Sequence, residues 1–291
     1  MIRRSLAVLA VTLAVAASPA SAGDRRAGGK LLLTNGVTSV EGAAGGGLST
    51  WAVVAGNETR DGIGGKANVT LVALPDFDLT TVGAAIGVND RFELSYTHQV
   101  FNTRAAGAAL GLGRGFTFQQ HVIGAKVRLL GDAVWDQGSP LPQISVGVQH
   151  KIADRGAVIR AVGGREDKGT DFYAAATKVF LARSLVVNAT VRATKANQFG
   201  LLGFGGDRQK DYTAQVEGSA GLMLTSRFVL GGEYRTKPNN LGFAREQDGL
   251  DAFAVWAVAR NVSLTAAYVD LGDIATVRRQ RGAFLSIQGS M

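Results

Sequence analysis

The sequence predicts an all-β chain: a transmembrane, antiparallel, up-and-down β-barrel of twelve to fourteen strands, fourteen being preferred. Three observations carry this. Segments of roughly ten residues that alternate in polarity recur along the chain, and a period of two residues marks a strand with one apolar and one wet face. Very short connections interleave with long ones, as periplasmic turns and extracellular loops do in an outer-membrane barrel. Aromatic residues, namely Tyr173, Tyr212, Phe228, Tyr234 and Tyr268, fall near strand ends on the face read as outward, where interfacial girdles place rings.

Taken in chain order, Arg3 and Arg4, the apolar run 6–17 and Ala20-Ser21-Ala22 predict a cleaved secretory leader over residues 1–22. The apolar run is too short for a spanning helix, which needs roughly 20 residues. Residues 23–47 form a separate N-terminal segment, either a first strand over 30–40 or a plug folded into the lumen. Residues 48–291 are assigned to the barrel. The glycine-rich stretch "VEGAAGGGLSTWAVVAG" at 40–56 contains neither G-x-x-x-x-G-K-[ST] nor G-x-G-x-x-G, so it is no phosphate-binding loop. It reads as a flexible approach to a strand over 48–56.

Strands are predicted at 48–56, 65–74, 78–88, 91–101, 119–130, 141–151, 171–181, 184–194, 211–224, 227–236, 249–259, 261–271 and 282–291. The clearest is 184–194, where Leu185, Val187, Ala189, Val191 and Ala193 oppose Ser184, Asn188, Thr190 and Arg192. The weak segment 30–40 supplies a fourteenth. The short connections are Asn89-Asp90, Ala182-Arg183, Thr225-Ser226 and Arg260-Asn261; the long ones are 102–118, 152–170, 195–210 and 238–248. A periplasmic C-terminus puts all four long loops outside.

Composition narrows the function classes. The chain carries 31 basic against 23 acidic residues and stays basic after a leader bearing Arg3 and Arg4 is removed. Nucleic acid is excluded as a partner, because the chain is exported and its basic residues form no patch with interleaved aromatics. With 0 cysteines, disulfides, thiol catalysis and cysteine-ligated metals are excluded. Glycine, at 39 residues against 5 prolines, is scattered through apolar segments, which suits closely packed strands.

"GKLLLTNGVTSVEGAAGGGLSTWAVVAG" at 29–56, "TRDGIG" at 59–64 and "GTDFYAAATKVF" at 169–180 resemble a family of outer-membrane proteins of Gram-negative bacteria, the domain of unknown function 3034, over residues 30–291. The resemblance implies a β-barrel in the cell outer membrane and transfers no activity and no site residue.

Three histidines, His98, His121 and His150, sit near the ends of successive strands at the predicted extracellular rim. A transition metal is one reading of such a cluster. No carboxylate joins them on that face, so they read better as amphipathic rim residues, and no metal or cofactor is assigned. A lipid-acting barrel enzyme needs a serine within reach of a histidine base; the same-face neighbours two positions away are not serine, and no catalytic residue is assigned. The acidic pairs Asp76 with Asp78, Glu166 with Asp167, and Asp270 with Asp273 lack a twelve-residue calcium loop and read as solvated loop charge.

The inward set is more informative. Glu93, Lys126, Arg128, Lys151, Lys178, Arg192, Glu217, Glu233 and Arg235 are predicted to line a polar, mildly basic lumen. That suggests a passive pore or solute channel with a preference for anions, since charged rings set pore selectivity. The alternatives are a plug-gated transporter of hydrophobic molecules, a structural or adhesive barrel with a filled lumen, and a lipid-modifying enzyme. The expected partners are outer-membrane lipid and lipopolysaccharide, the barrel assembly machinery, and small solutes, anions among them.

Overall fold

The computed structural model describes residues 30–291; the leader predicted over 1–22 lies outside the described residues. Two short strands, β1 (Val37–Thr38) and β2 (Ala44–Gly45), pair with each other. The remaining twelve are β3 (Ile63–Ala73), β4 (Asp78–Val88), β5 (Phe92–Asn102), β6 (Thr117–Leu130), β7 (Gln143–Ala153), β8 (Lys168–Phe180), β9 (Leu185–Thr194), β10 (Thr213–Thr225), β11 (Phe228–Arg235), β12 (Gly249–Ala259), β13 (Val262–Asp270) and β14 (Arg281–Ser290). Each pairs antiparallel with its chain neighbour, and β14 pairs with β3 from Ala283↔Ala73 to Ser290↔Lys66, which closes the barrel. Closure leaves no free edge, the condition for a sheet to cross a bilayer.

The alternation works inside out relative to a soluble sandwich. In β9, Val186, Asn188, Thr190, Arg192 and Thr194 are buried, whereas Val191 on the other face is 55% exposed. Leu71, Ile86, Leu94, Ile123, Val216, Leu230, Trp256 and Leu285 are likewise exposed on the wall. An apolar exterior around a polar interior is stable only with hydrocarbon outside.

The connections segregate by end. One end carries the long segments 103–116, 154–167, 195–212, 236–248 and 271–280, together with the short 74–77. The other carries 89–91, 181–184, 226–227 and 260–261, with one long exception at 131–142. Asn89 and Asp90 both adopt positive φ, 55° and 46°, a conformation these two residue types tolerate in a tight hairpin.

The wall has twelve strands, not the preferred fourteen. Residues 30–40 and 48–56 do not join it; residues 34–56 are buried without interruption inside the barrel. Trp51, Val53 and Ala55 pack against Ala85, Val179 and Val186 of the inner wall and against Ala133 and Val134 of the 131–142 segment. An apolar run buried on every side has no reason to alternate, so it resembles a buried strand in sequence. The 131–142 segment is long because it folds beneath this plug. Tyr173 is a second correction: it points inward, 5% exposed, with the Arg192 guanidinium 5.2 Å from its ring centroid. Tyr212, Tyr234 and Tyr268 are outward and exposed.

Candidate functional site

A plug of mostly irregular backbone presents amide and carbonyl groups that a regular strand would satisfy by pairing, and buried backbone groups need partners. The inward wall side chains supply them. Glu93 accepts from the amides of Ala44 (3.2 Å) and Ala55 (2.9 Å). Lys126 donates to the carbonyls of Ala44 (3.1 Å) and Val53 (2.8 Å). Glu233 accepts from the Leu48 amide (2.7 Å) and Glu217 from the Thr50 amide (2.7 Å). Thr177 accepts from the Ala52 amide at 2.8 Å, while Asn188 and Thr190 donate to the Thr50 carbonyl. Lys66 holds the carbonyls of Asn35 (2.6 Å) and Gly36 (2.8 Å).

The glycine run is explained here. A Cβ on Gly46 would lie 1.7 Å from Oε1 of Glu233, so glycine lets the plug approach that carboxylate without displacing it. Gly42 holds φ at +93° beside Thr97, a conformation that other residues resist.

Of the predicted lumen residues, seven meet the plug directly or through its partners: Glu93, Lys126, Lys151, Arg192, Glu217, Glu233 and Arg235. Glu93 and Lys126 form a pair at 3.1 Å. Arg192 reaches Glu217, Asp171 (3.5 Å) and the Thr50 hydroxyl (2.9 Å). Arg128 lies toward the short-turn end and pairs with Asp90 at 2.6 Å. Lys178 is not a lumen residue: with Tyr173 and Thr177 turned inward, it falls on the outward face of β8 beside Phe180, where it donates to the Asp136 carbonyl of the 131–142 segment at 2.6 Å.

Sequence reasoning missed the plug's own acid, Glu41. It is fully buried and pairs with Lys151, with Arg235 at 2.7 Å and with Arg192 at 3.7 Å. Burial alone would raise its carboxyl, but Arg235, Lys151 and Arg192 outweigh that and hold it well below the usual carboxylate range. Asp171 was missed as well; it faces Lys151 at 2.7 Å. A lone acid inside a glycine-rich stretch that passes a basic lumen was the available signal for Glu41.

At the short-turn end, where the plug leaves for β3, Lys30 bridges Glu58 (3.3 Å) and Asp90 (2.8 Å). Burial pushes the Glu58 carboxyl up to about 7, only partly opposed by Lys30.

Above the plug, the long loops fold inward and enclose an apolar cavity of about 140 Å³. Val40 and Leu48 of the plug and Phe199 of the 195–212 loop line it together with Phe77, Phe101 and Phe284. Arg235 stacks its guanidinium beneath Phe199, 4.6 Å from the ring centroid. Beside the same loops, burial raises the Glu246 carboxyl to about 7 against the pull of Lys237.

The histidines divide. His98 and His121 are cross-strand partners with ring centroids 4.7 Å apart, and His121 Nδ1 meets the Tyr96 hydroxyl at 2.8 Å. His150 instead pairs with Ile123 and bonds Thr170 Oγ1 at 2.9 Å. Among the described residues, no group of three or more His, Cys, Asp or Glu side chains is placed to hold a metal.

The closed wall, apolar exterior and polar interior define a porin-like transmembrane β-barrel. The chain belongs to the family described as "Protein of unknown function (DUF3034)", whose model matches residues 34–288. No curated protein matches it in sequence. Its fold is similar to that of the KdgM porin (TM-score 0.50, 9% identity, covering 78% of this chain and 99% of that one). The NanC porin is similar to the same degree (TM-score 0.50, 10% identity, 77% and 98% covered). An outer membrane phospholipase A from Escherichia coli aligns more loosely (TM-score 0.41, 12% identity, 78% and 91% covered).

Proposed function

We propose that the protein is a plug-gated outer-membrane channel for small molecules with an apolar body, with its long loops outside the cell and its short turns in the periplasm. The observation that carries this reading is the apolar cavity at the long-loop end, floored by the plug itself through Val40 and Leu48. A permeant molecule resting there touches the element that must move to let it pass. The basic side chains that would make an open anion pore are engaged with plug groups and with the wall carboxylates Glu93, Asp171 and Glu217, so passive anion flow requires the plug to leave first. A purely structural barrel is the second reading, favoured by the ion pairs that fill the lumen.

The test uses the absence of cysteine. Ser49 Oγ of the plug touches Ser219 Oγ of β10, so Ser49→Cys with Ser219→Cys gives a reversible lock on an otherwise thiol-free chain. Cells making the double variant should take up radiolabelled octanoate at the wild-type rate under reducing conditions and at the rate of cells lacking the protein after oxidation. Uptake insensitive to the lock would show that nothing passes by way of the plug, and equal uptake with and without the protein would leave the structural reading standing.

A further inference from the structure

We infer that the channel's ligand is an amphipathic carboxylate, whose apolar body fills the cavity and whose head group takes the place of Glu41 on Arg235 and Lys151. This rests on the plug-gated reading above and adds the ligand's chemical class.

The cavity floor and the Glu41 cluster are two sides of one layer. Val40, which lines the cavity, precedes Glu41. Leu48, which also lines it, accepts from Arg235 Nη1 through its carbonyl at 2.9 Å. Phe199 completes the floor, stacks on Arg235 and accepts from Lys151 Nζ through its carbonyl at 3.3 Å. A molecule seated on this floor therefore lies one residue layer above two buried cations.

Charge balance selects the head group. Contacts within 4 Å join Lys151, Arg192 and Arg235 to Glu41, Asp171 and Glu217, a set whose charges cancel. Asp171 and Glu217 belong to the wall; Glu41 alone belongs to the plug. Turning Glu41 away while the plug still excludes water leaves one uncompensated positive charge in a buried site, an unfavourable state. One monovalent carboxylate restores neutrality, whereas a neutral hydrocarbon does not.

Geometry agrees with charge. Arg235 presents Nη1 and Nη2 to Glu41 at 2.7 and 3.2 Å, the planar fork that suits a carboxylate. Gly42, next to Glu41, holds φ at +93° and gives the backbone a pivot for the acid to swing away. Ligand binding thus removes the ionic latch of the plug, and the plug's own carboxylate is the competitor that keeps the channel shut when no ligand is present.

Octanoate and 1-octanol are the matched probes, measured by equilibrium dialysis against the full barrel in lipid nanodiscs with empty discs subtracted. Wild type should bind octanoate more tightly than octanol. Glu41→Gln should raise the octanoate affinity relative to that of octanol by roughly tenfold or more, the scale of a hydrogen-bonded charged contact. Arg235→Gln should bring octanoate down to the level of octanol. Equal binding of the two probes, unmoved by Glu41→Gln, would overturn the inference while leaving the apolar cavity reading intact. Binding of neither probe would remove that reading as well. Should Glu41→Gln fail to give the heat-modifiable gel mobility of a folded barrel, the wild-type ratio decides: octanoate no tighter than octanol overturns the inference.

Discussion

Lys126→Met tests whether the wall charges serve the plug. Lys126 and Glu93 are a pair at 3.1 Å with side chains 0% and 1% exposed, and Lys126 also holds two plug carbonyls. Removing one partner of a buried pair costs about 3–5 kcal/mol because the other charge is left uncompensated. The low end applies, since Glu93 keeps its amide donors from Ala44 and Ala55. With the plug withdrawn, water reaches Glu93, so the penalty of about 3 kcal/mol falls on the plugged state and shifts the equilibrium toward opening by roughly a hundredfold. In planar bilayers, wild type should rest closed, Lys126→Met should show frequent openings, and adding Glu93→Gln should return it most of the way. The oxidised Ser49→Cys/Ser219→Cys lock should close Lys126→Met again. A folded Lys126→Met that stays silent, or one that conducts equally with the lock formed, would refute the reasoning.

Two further predictions concern the plug's fit. The Glu58 carboxyl titrates near 7 in the folded protein against about 4.3 for a free glutamate; a raised value means that its stabilisation is complete below the free value and is lost as pH rises through about 7. Hydrogen-exchange protection of residues 34–56, corrected for intrinsic rates, should therefore decline from pH 5 to pH 8, and Glu58→Gln should flatten the decline; an unchanged slope in that variant would assign the pH dependence elsewhere. Gly46→Ala places a Cβ on the Glu233 carboxylate, which must shift and loosen its bonds to Leu48 and Ser49. The overpacking should destabilise the plug by about 1–3 kcal/mol, read as faster proteolysis within 34–56, and wild-type resistance would show that the carboxylate has room to move.

The barrel was legible because a lipid-facing wall imposes alternation on every strand that joins it: β9 and β10 show both faces in their side chains alone. The plug's extent was not legible, since "TWAVVAG" at 50–56 satisfies the composition of a strand while making its contacts in the lumen. Eight of the nine charges assigned inward were found by parity, and Lys178 was lost with Tyr173 because the two lie five residues apart on one strand and so on opposite faces; the partners of the eight were not found, because Glu41 lies on no strand and parity says nothing about it. The apolar cavity left no periodic trace: Leu110, Leu201 and Ile274 come from separate loops, and only the folded loops bring them together. His98 and His121 meet because their strands pair in register, whereas His150 is opposite Ile123, a two-residue offset that sequence spacing cannot supply.

The lumen shows why a polar interior need not mean an open path. Carboxylates such as Glu93, Glu217 and Glu233 spend their acceptor capacity on plug amides, and Lys66 and Lys126 spend donors on plug carbonyls. An irregular segment is thereby kept satisfied in a place where it has no strand partner. The same groups can be satisfied by water if the segment leaves, so the net difference between plugged and open states is smaller than the number of bonds suggests. On the proposed gating, that near-balance is what lets one exchanged carboxylate at Glu41 decide the state. On the same proposal, Lys126, Lys151, Arg192 and Arg235 line a water-filled path only after opening, so a preference for anions, if the path has one, belongs to the open channel and recognition of the ligand's apolar body to the closed one.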